Sequence, residues 1–153
     1  MAANFLKDVI DAKLIKPRLE SDAKKEIILE LVDILDQNHL LADRKEAERV
    51  VLDRETLMST GLENGIAIPH GKCNSVKQLI VAVGLKPEGV DFDSADGQPS
   101  RIFLLTLSSA NRSGPHIRFM AEISRLLQNE DLRNRVLAAN SGTEIAKLLT
   151  GGR

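Results

Sequence analysis

The chain has 153 residues, a length that holds one compact domain, and its 42% hydrophobic and 28% charged residues describe an ordinary globular protein rather than a disordered or fibrous one. Twenty-one basic side chains against twenty-two acidic ones leave a formal charge of -1, and the aromatic set is four Phe with neither Trp nor Tyr. There is no positive field to hold a nucleic-acid backbone or an anionic membrane and no stacking platform for bases, so those partners are not expected.

Ser21-Asp22 offers a helix cap ahead of Ile27, Ile28, Leu31, Val32, Ile34 and Leu35, whose spacing predicts an amphipathic helix. Asp43 and Glu46 resemble a capping box for a second helix, which carries Ala47, Val50, Val51 and Leu57 and ends before Gly61. A turn at Gly61-Leu62-Glu63-Asn64-Gly65 leads into a short buried strand, Ile66-Ala67-Ile68, stopped by Pro69, with His70 just beyond its end. Leu79 to Leu85 and Ile102 to Leu107 are continuous apolar runs of strand length, the pattern of central strands covered on both faces. A loop holding Pro87, Gly89, Gly97 and Pro99 separates them.

Ser113-Gly114-Pro115 opens a third helix with His116 in its first turn, and shorter helices are expected over 130–138 and 143–149. Alternating helices and strands predict an α/β fold, a mixed sheet sandwiched between helices, in one domain over residues 1–153. The first residues hold no basic segment followed by an apolar stretch, and no run reaches the length of a membrane span. With Cys73 as the single cysteine, a reducing, cytoplasmic setting is expected.

Nucleotide-loop, nucleophile-elbow and zinc-protease signatures are all absent, which leaves the three histidines as the carriers of any chemistry. His39 sits near a helix end, where a charge contact with the helix C-terminus explains it. His70 lies where strand ends meet ligands and partners. A neutral imidazole is already nucleophilic at cytoplasmic pH. Attack on a phosphoryl donor would further need donors or positive charge around the equatorial oxygens, for which Arg54, His116 and backbone amides are candidates. Arg54, flanked by Asp53 and Glu55, reads equally well as a solvated helix charge, and His116 as a local hydrogen-bond donor whose first-turn place disfavours a protonated ring.

Arg54-Glu55 through Ser59-Thr60-Gly61, followed by Gly65-Ile66-Ala67-Ile68-Pro69-His70-Gly71, resembles the enzyme IIA family of the mannitol, fructose and nitrogen type in the phosphoenolpyruvate-dependent phosphotransferase system (PTS EIIA type 2). The likeness extends to the opening helix, to the strand Leu79 to Leu85, to Val90-Asp91-Phe92 and to the helix near His116. It implies a three-layer α/β sandwich with a five-stranded mixed sheet, and a phosphoryl group received on His70 from an HPr-type phosphocarrier with His116 and Arg54 as stabilising groups. Asn64 through Lys72 is worded most like the nitrogen regulatory subgroup, which implies a regulatory enzyme IIA.

Two alternatives stand beside that reading: a sugar-transport enzyme IIA that donates to a separate enzyme IIB, and a protein-binding module that is not phosphorylated. Thr60 and Gly61 match a pair that shapes the family's site, although a helix-ending turn also explains them. Cys73 reads as a bystander, and Phe92 and Phe119 as either docking or core residues. No cofactor and no metal are expected, since histidine-to-histidine transfer relies on protein donors and there is no compact carboxylate cluster.

Overall fold

The two apolar runs pair with each other. β4 (Ile80–Val90) and β5 (Ser100–Ser108) lie antiparallel at the centre of a mixed five-stranded sheet, in a computed structural model that describes residues 5–151. β1 (Ile15–Lys16) adds parallel to β4. β2 (Ile66–Ala67) and β3 (His70–Lys72) follow one another along the other edge of β5, both parallel to it. They are separated at Ile68-Pro69 because proline has no amide to continue the ladder, although the Pro69 carbonyl still accepts from Thr106 N at 2.9 Å.

Both faces of the sheet are covered, as expected for continuous apolar strands. Phe103, Leu105 and Leu107 of β5 pack on the side of α2 (Lys24–Gln37) and α3 (Arg44–Leu57), against Ile27, Ile28, Leu31, Ala47 and Val51. The alternate residues Ile102 and Leu104 face α4 (Gly114–Leu126), α5 (Glu130–Ala138) and α6 (Gly142–Leu149), against Phe119, Ile123, Val136 and Ile145. A fully buried side chain of this kind contributes about 1.5–3 kcal/mol, so the two-sided core accounts for the sheet's place in the middle. Phe92 and Phe119 are both fully buried core residues, which removes them as docking candidates.

Several local expectations change. The Ser21-Asp22 cap is not used: α2 starts after Ala23 with no side-chain cap. Asp43 does cap α3 through Glu46 N, but Glu46 leaves the box unclosed and reaches instead to Cys73, Asn74 and Ser75. β4 runs through Pro87 and Gly89 to Val90, with an irregularity in register after Leu85, where a loop was expected. The short α1 (Phe5–Val9), the 3-10 turn Ala12–Leu14, β1 and β3 are additions, each too brief to leave a periodic signal. His39 is exposed just past α2 in the left-handed region at φ 60°, with its amide donating to the Asp36 carbonyl.

The segment that joins β1 to α2 is fastened by Glu30, whose carboxylate accepts the amides of Glu20 and Ser21 and pairs with Lys16 at 2.8 Å. Burial pushes the Glu30 carboxyl up, but Lys16 and the two amides outweigh it and hold it down at about 2. Its contribution to stability is therefore complete above the ordinary value of 4.5 and disappears as pH falls through about 2. Discounted for solvent screening, this is about 1–2 kcal/mol. Glu30→Gln is expected to lower the thermal midpoint at neutral pH, and thermal melts at decreasing pH should show the gap from wild type closing.

Candidate functional site

Strand register builds the site. β3 pairs with β5 so that His70 stands opposite Thr106 and Gly71 opposite Leu107. Opposed residues in a parallel pair share a face, so His70 points with Thr106 toward the α4 side, while Gly71 points toward α3. Glycine is required there because an added Cβ would lie 2.8 Å from Val50 Cγ2 and 3.1 Å from Val51 N. The structure therefore places His70 as the first residue of a strand, not in a turn beyond one.

On the α4 side, His70 meets His116, with ring centroids 4.9 Å apart and planes at 42°. His116 is the third residue of α4, after Pro115 in the first turn as expected, and Ser113 precedes the helix without a side-chain cap. Its Nδ1 lies 3.2 Å from Thr106 Oγ1. His70 Nδ1 is 2.9 Å from the Ile68 carbonyl, which can only accept, so His70 carries its proton on Nδ1 and its Nε2 holds the free lone pair.

Arg54 occupies the last turn of α3, half-buried, with Nη1 donating to the Met58 carbonyl at 2.8 Å. It pairs with neither acidic neighbour: Asp53 faces Arg49 at 3.9 Å, and Glu55 turns inward. Burial pulls the His70 ring below the ordinary imidazole value; the Ile68 carbonyl opposes this, Arg54 adds to it and Glu55 opposes it. Burial, then the neighbouring His70 and Lys72, brings His116 down to about 4. The low value matches the neutral ring expected for a helix start, but its cause is burial first, then the neighbouring His70 ring and the Lys72 charge. Both rings are neutral at neutral pH.

The Glu55 carboxylate, 9% exposed, accepts from Thr60 N at 2.8 Å and Thr60 Oγ1 at 2.6 Å and pairs with Lys24 at 2.9 Å. The Thr60 hydroxyl is thus occupied, and its part in the site is to brace the segment leading to β2. Gly61 lies close against the following loop, where a Cβ would meet Ser94 Cα at 2.9 Å. Cys73 is buried on the opposite, α2–α3 side with Sγ 3.1 Å from Glu46 Oε1, and burial raises its thiol, which places it outside the chemistry. Leu57, Met58 and Ile117 are exposed apolar side chains in the sequence neighbourhoods of Arg54 and His116, 79%, 71% and 63% accessible. No group of three or more metal-ligating side chains occurs among the described residues.

Of the three residues the sequence points to, the fold brings His70 and His116 into ring contact, while Arg54 acts on His70 through its charge. Sequence reasoning passed over Thr106, one hydroxyl in an apolar run, and it treated Glu55 only as a charge beside Arg54. The one signal for Thr106 was that interruption of the strand, which acquires meaning only through its register with His70.

A neutral imidazole with one free ring nitrogen and a second neutral imidazole thus lie together at the edge of a two-sided α/β sheet. The chain belongs to the family described as the phosphoenolpyruvate-dependent sugar phosphotransferase system, EIIA 2, whose sequence model matches residues 8–151. It is 34% identical to the fructose-specific EIIABC component of Bacillus subtilis over 93% of this chain, and spans only 22% of that protein's length. It is 33% identical to the fructose-specific EIIA component of Haloferax volcanii, over 93% of this chain and 96% of that one. The crystal structure of nitrogen regulatory protein IIA-Ntr from Neisseria meningitidis superposes with a TM-score of 0.87 at 27% identity, covering 95% of this chain and 99% of that chain. Enzyme IIA mannitol of Escherichia coli, solved in complex with phosphorylated enzyme IIB mannitol, gives 0.78 at 26% identity over 92% and 96%.

The depressed His116 ring has a signed consequence for stability. Between its ordinary value of 6.5 and about 4 the unfolded chain takes up a proton that the folded ring refuses, so this ring makes stability fall as pH drops through that window and no further below it. A His116→Gln variant is expected to lose less stability than wild type over the same range in denaturant titrations. Ring-proton NMR should give a His116 midpoint of about 4 that rises in Lys72→Ala.

Proposed function

We propose that this chain accepts a phosphoryl group on His70 Nε2 from an HPr-type phosphocarrier, or its nitrogen-branch counterpart, and passes it on. The observation that carries the reading is the His70 ring itself: its Nδ1 proton is held by the Ile68 carbonyl, and its free nitrogen lies in a ring pair with neutral His116. In-line attack breaks the donor's P–N bond as the bond to Nε2 forms. No proton has to leave the attacking nitrogen, and the Nδ1 proton stays on Nδ1, donated to the Ile68 carbonyl. His116 and the Arg54 guanidinium stabilise the charge on the equatorial oxygens. Exposed Leu57, Met58 and Ile117 supply apolar area for a transient partner around the site.

For the onward step we favour a regulatory enzyme IIA of the nitrogen type, acting in the cytoplasm through its phosphorylation state. The support is the wording of Asn64 through Lys72 and the likeness to the Neisseria IIA-Ntr structure. A sugar-transport enzyme IIA that donates to a separate enzyme IIB is the second reading, supported by the 33–34% identity to fructose components. Among the described residues no helix is long and apolar enough to cross a membrane.

Incubation with phosphoenolpyruvate, enzyme I and HPr is expected to add one acid-labile phosphoryl group, read by intact mass. His70→Ala should take none; labelling that persists in this variant would remove His70 from the reaction. His116→Ala should still be labelled but about 10²-fold more slowly, the usual loss for one electrostatic donor. For the onward step, phosphorylated protein and His70→Ala are used as baits: capture of an enzyme IIB supports transport, and phosphorylation-sensitive capture of a kinase or ion transporter supports regulation.

A further inference from the structure

Within the run Ile102 to Leu107 a single side chain can form a hydrogen bond, and it is fully buried: Thr106 is 0% exposed. It continues the row Ile102, Leu104 that faces the α4 layer, directly opposite His70 in the β3–β5 register. Its Oγ1 lies 3.2 Å from His116 Nδ1, and among the described residues this is the hydroxyl's one hydrogen-bond partner. A hydroxyl has one proton to give. If His116 Nδ1 were the donor, the threonine proton would be sealed in the core without an acceptor, an arrangement that folded proteins avoid. The hydroxyl therefore donates, Nδ1 accepts, and the neutral ring carries its proton on Nε2.

We propose that Thr106 is a positioning residue: by donating to His116 Nδ1 it holds that ring as the Nε2–H tautomer, while the Ile68 carbonyl holds the adjacent His70 in the reverse tautomer with Nε2 unprotonated. The pair then offers one lone pair and one N–H to the same phosphoryl group. His70 Nε2 supplies the electron pair for the new P–N bond as the donor's P–N bond breaks, and His116 Nε2–H donates to a phosphoryl oxygen and keeps its proton. With the opposite His116 tautomer, the second ring would turn a lone pair on an anion. The tautomer assignment stands on the geometry alone; the positioning role rests on His70 as the phosphoryl acceptor.

The test combines long-range proton–nitrogen NMR of the histidine rings in the full-length protein with rates of phosphoryl transfer from HPr, for wild type, Thr106→Val and Thr106→Ser. Wild type is expected to show His116 protonated on Nε2 with Nδ1 as an acceptor, and His70 the reverse. Thr106→Val, which keeps the shape and removes the donor, should shift the His116 Nδ1 resonance and slow transfer roughly tenfold, a milder loss than deleting the ring's donor outright. Thr106→Ser should restore both. Wild-type His116 protonated on Nδ1, or Thr106→Val at full rate, overturns the proposal. If Thr106→Val does not fold, the wild-type spectrum together with the serine variant decides on the same criteria. Wild type that takes no phosphoryl group overturns the acceptor reading and the positioning role with it, whereas a labelled wild type with the wrong His116 tautomer overturns the positioning role alone.

Discussion

The pairing of His70 with Thr106 across β3 and β5 is the constraint from which the site follows. A shift of one residue would turn His70 toward α3 and put Gly71 on the α4 side, because side chains alternate along a strand. Pro69 sets the break: it ends the β2 ladder for want of an amide, and its carbonyl keeps the chain beside β5 long enough for β3 to form. The apolar alternation of β5 then holds the register, since Phe103, Leu105 and Leu107 are committed to one core and Ile102 and Leu104 to the other.

Electrostatics at the site derive from that packing. Burial keeps both rings neutral, and Arg54 and Lys72 add positive charge to their surroundings. Such a site is poised for a group that brings its own negative charge. The inward turn of Glu55 serves the same end, because a carboxylate tied to Thr60 and Lys24 braces the loop while leaving Arg54 free of an acidic partner. The exposed apolar side chains near Arg54 and His116 fit an exchange in which the partner docks briefly and departs.

Much of the fold was legible in the chain. Helices long enough to repeat an apolar face, and strands long enough to be apolar throughout, declare themselves because burial is the dominant favourable term. What escaped were α1, the 3-10 turn, β1 and β3, too short to carry a period, and the far half of β4, where Pro87 and Gly89 read as loop but sit at a register irregularity. At Ser21-Asp22 no cap forms: the helix starts after Ala23, and the segment before it is held instead by Glu30, which accepts the amides of Glu20 and Ser21.

By itself the sequence determined the class of fold and the two-sided burial of the central strands, and it marked His70, His116 and Arg54 as candidates, because these depend on residue type and local period. Only the tertiary structure decided that His70 heads a strand, that its Nε2 is the free nitrogen, that His116 lies 4.9 Å away ring to ring, and that Thr106 touches the second ring. Those are facts of register and of hydrogen bonds between residues distant in the chain. No local pattern encodes which nitrogen of a ring meets which oxygen.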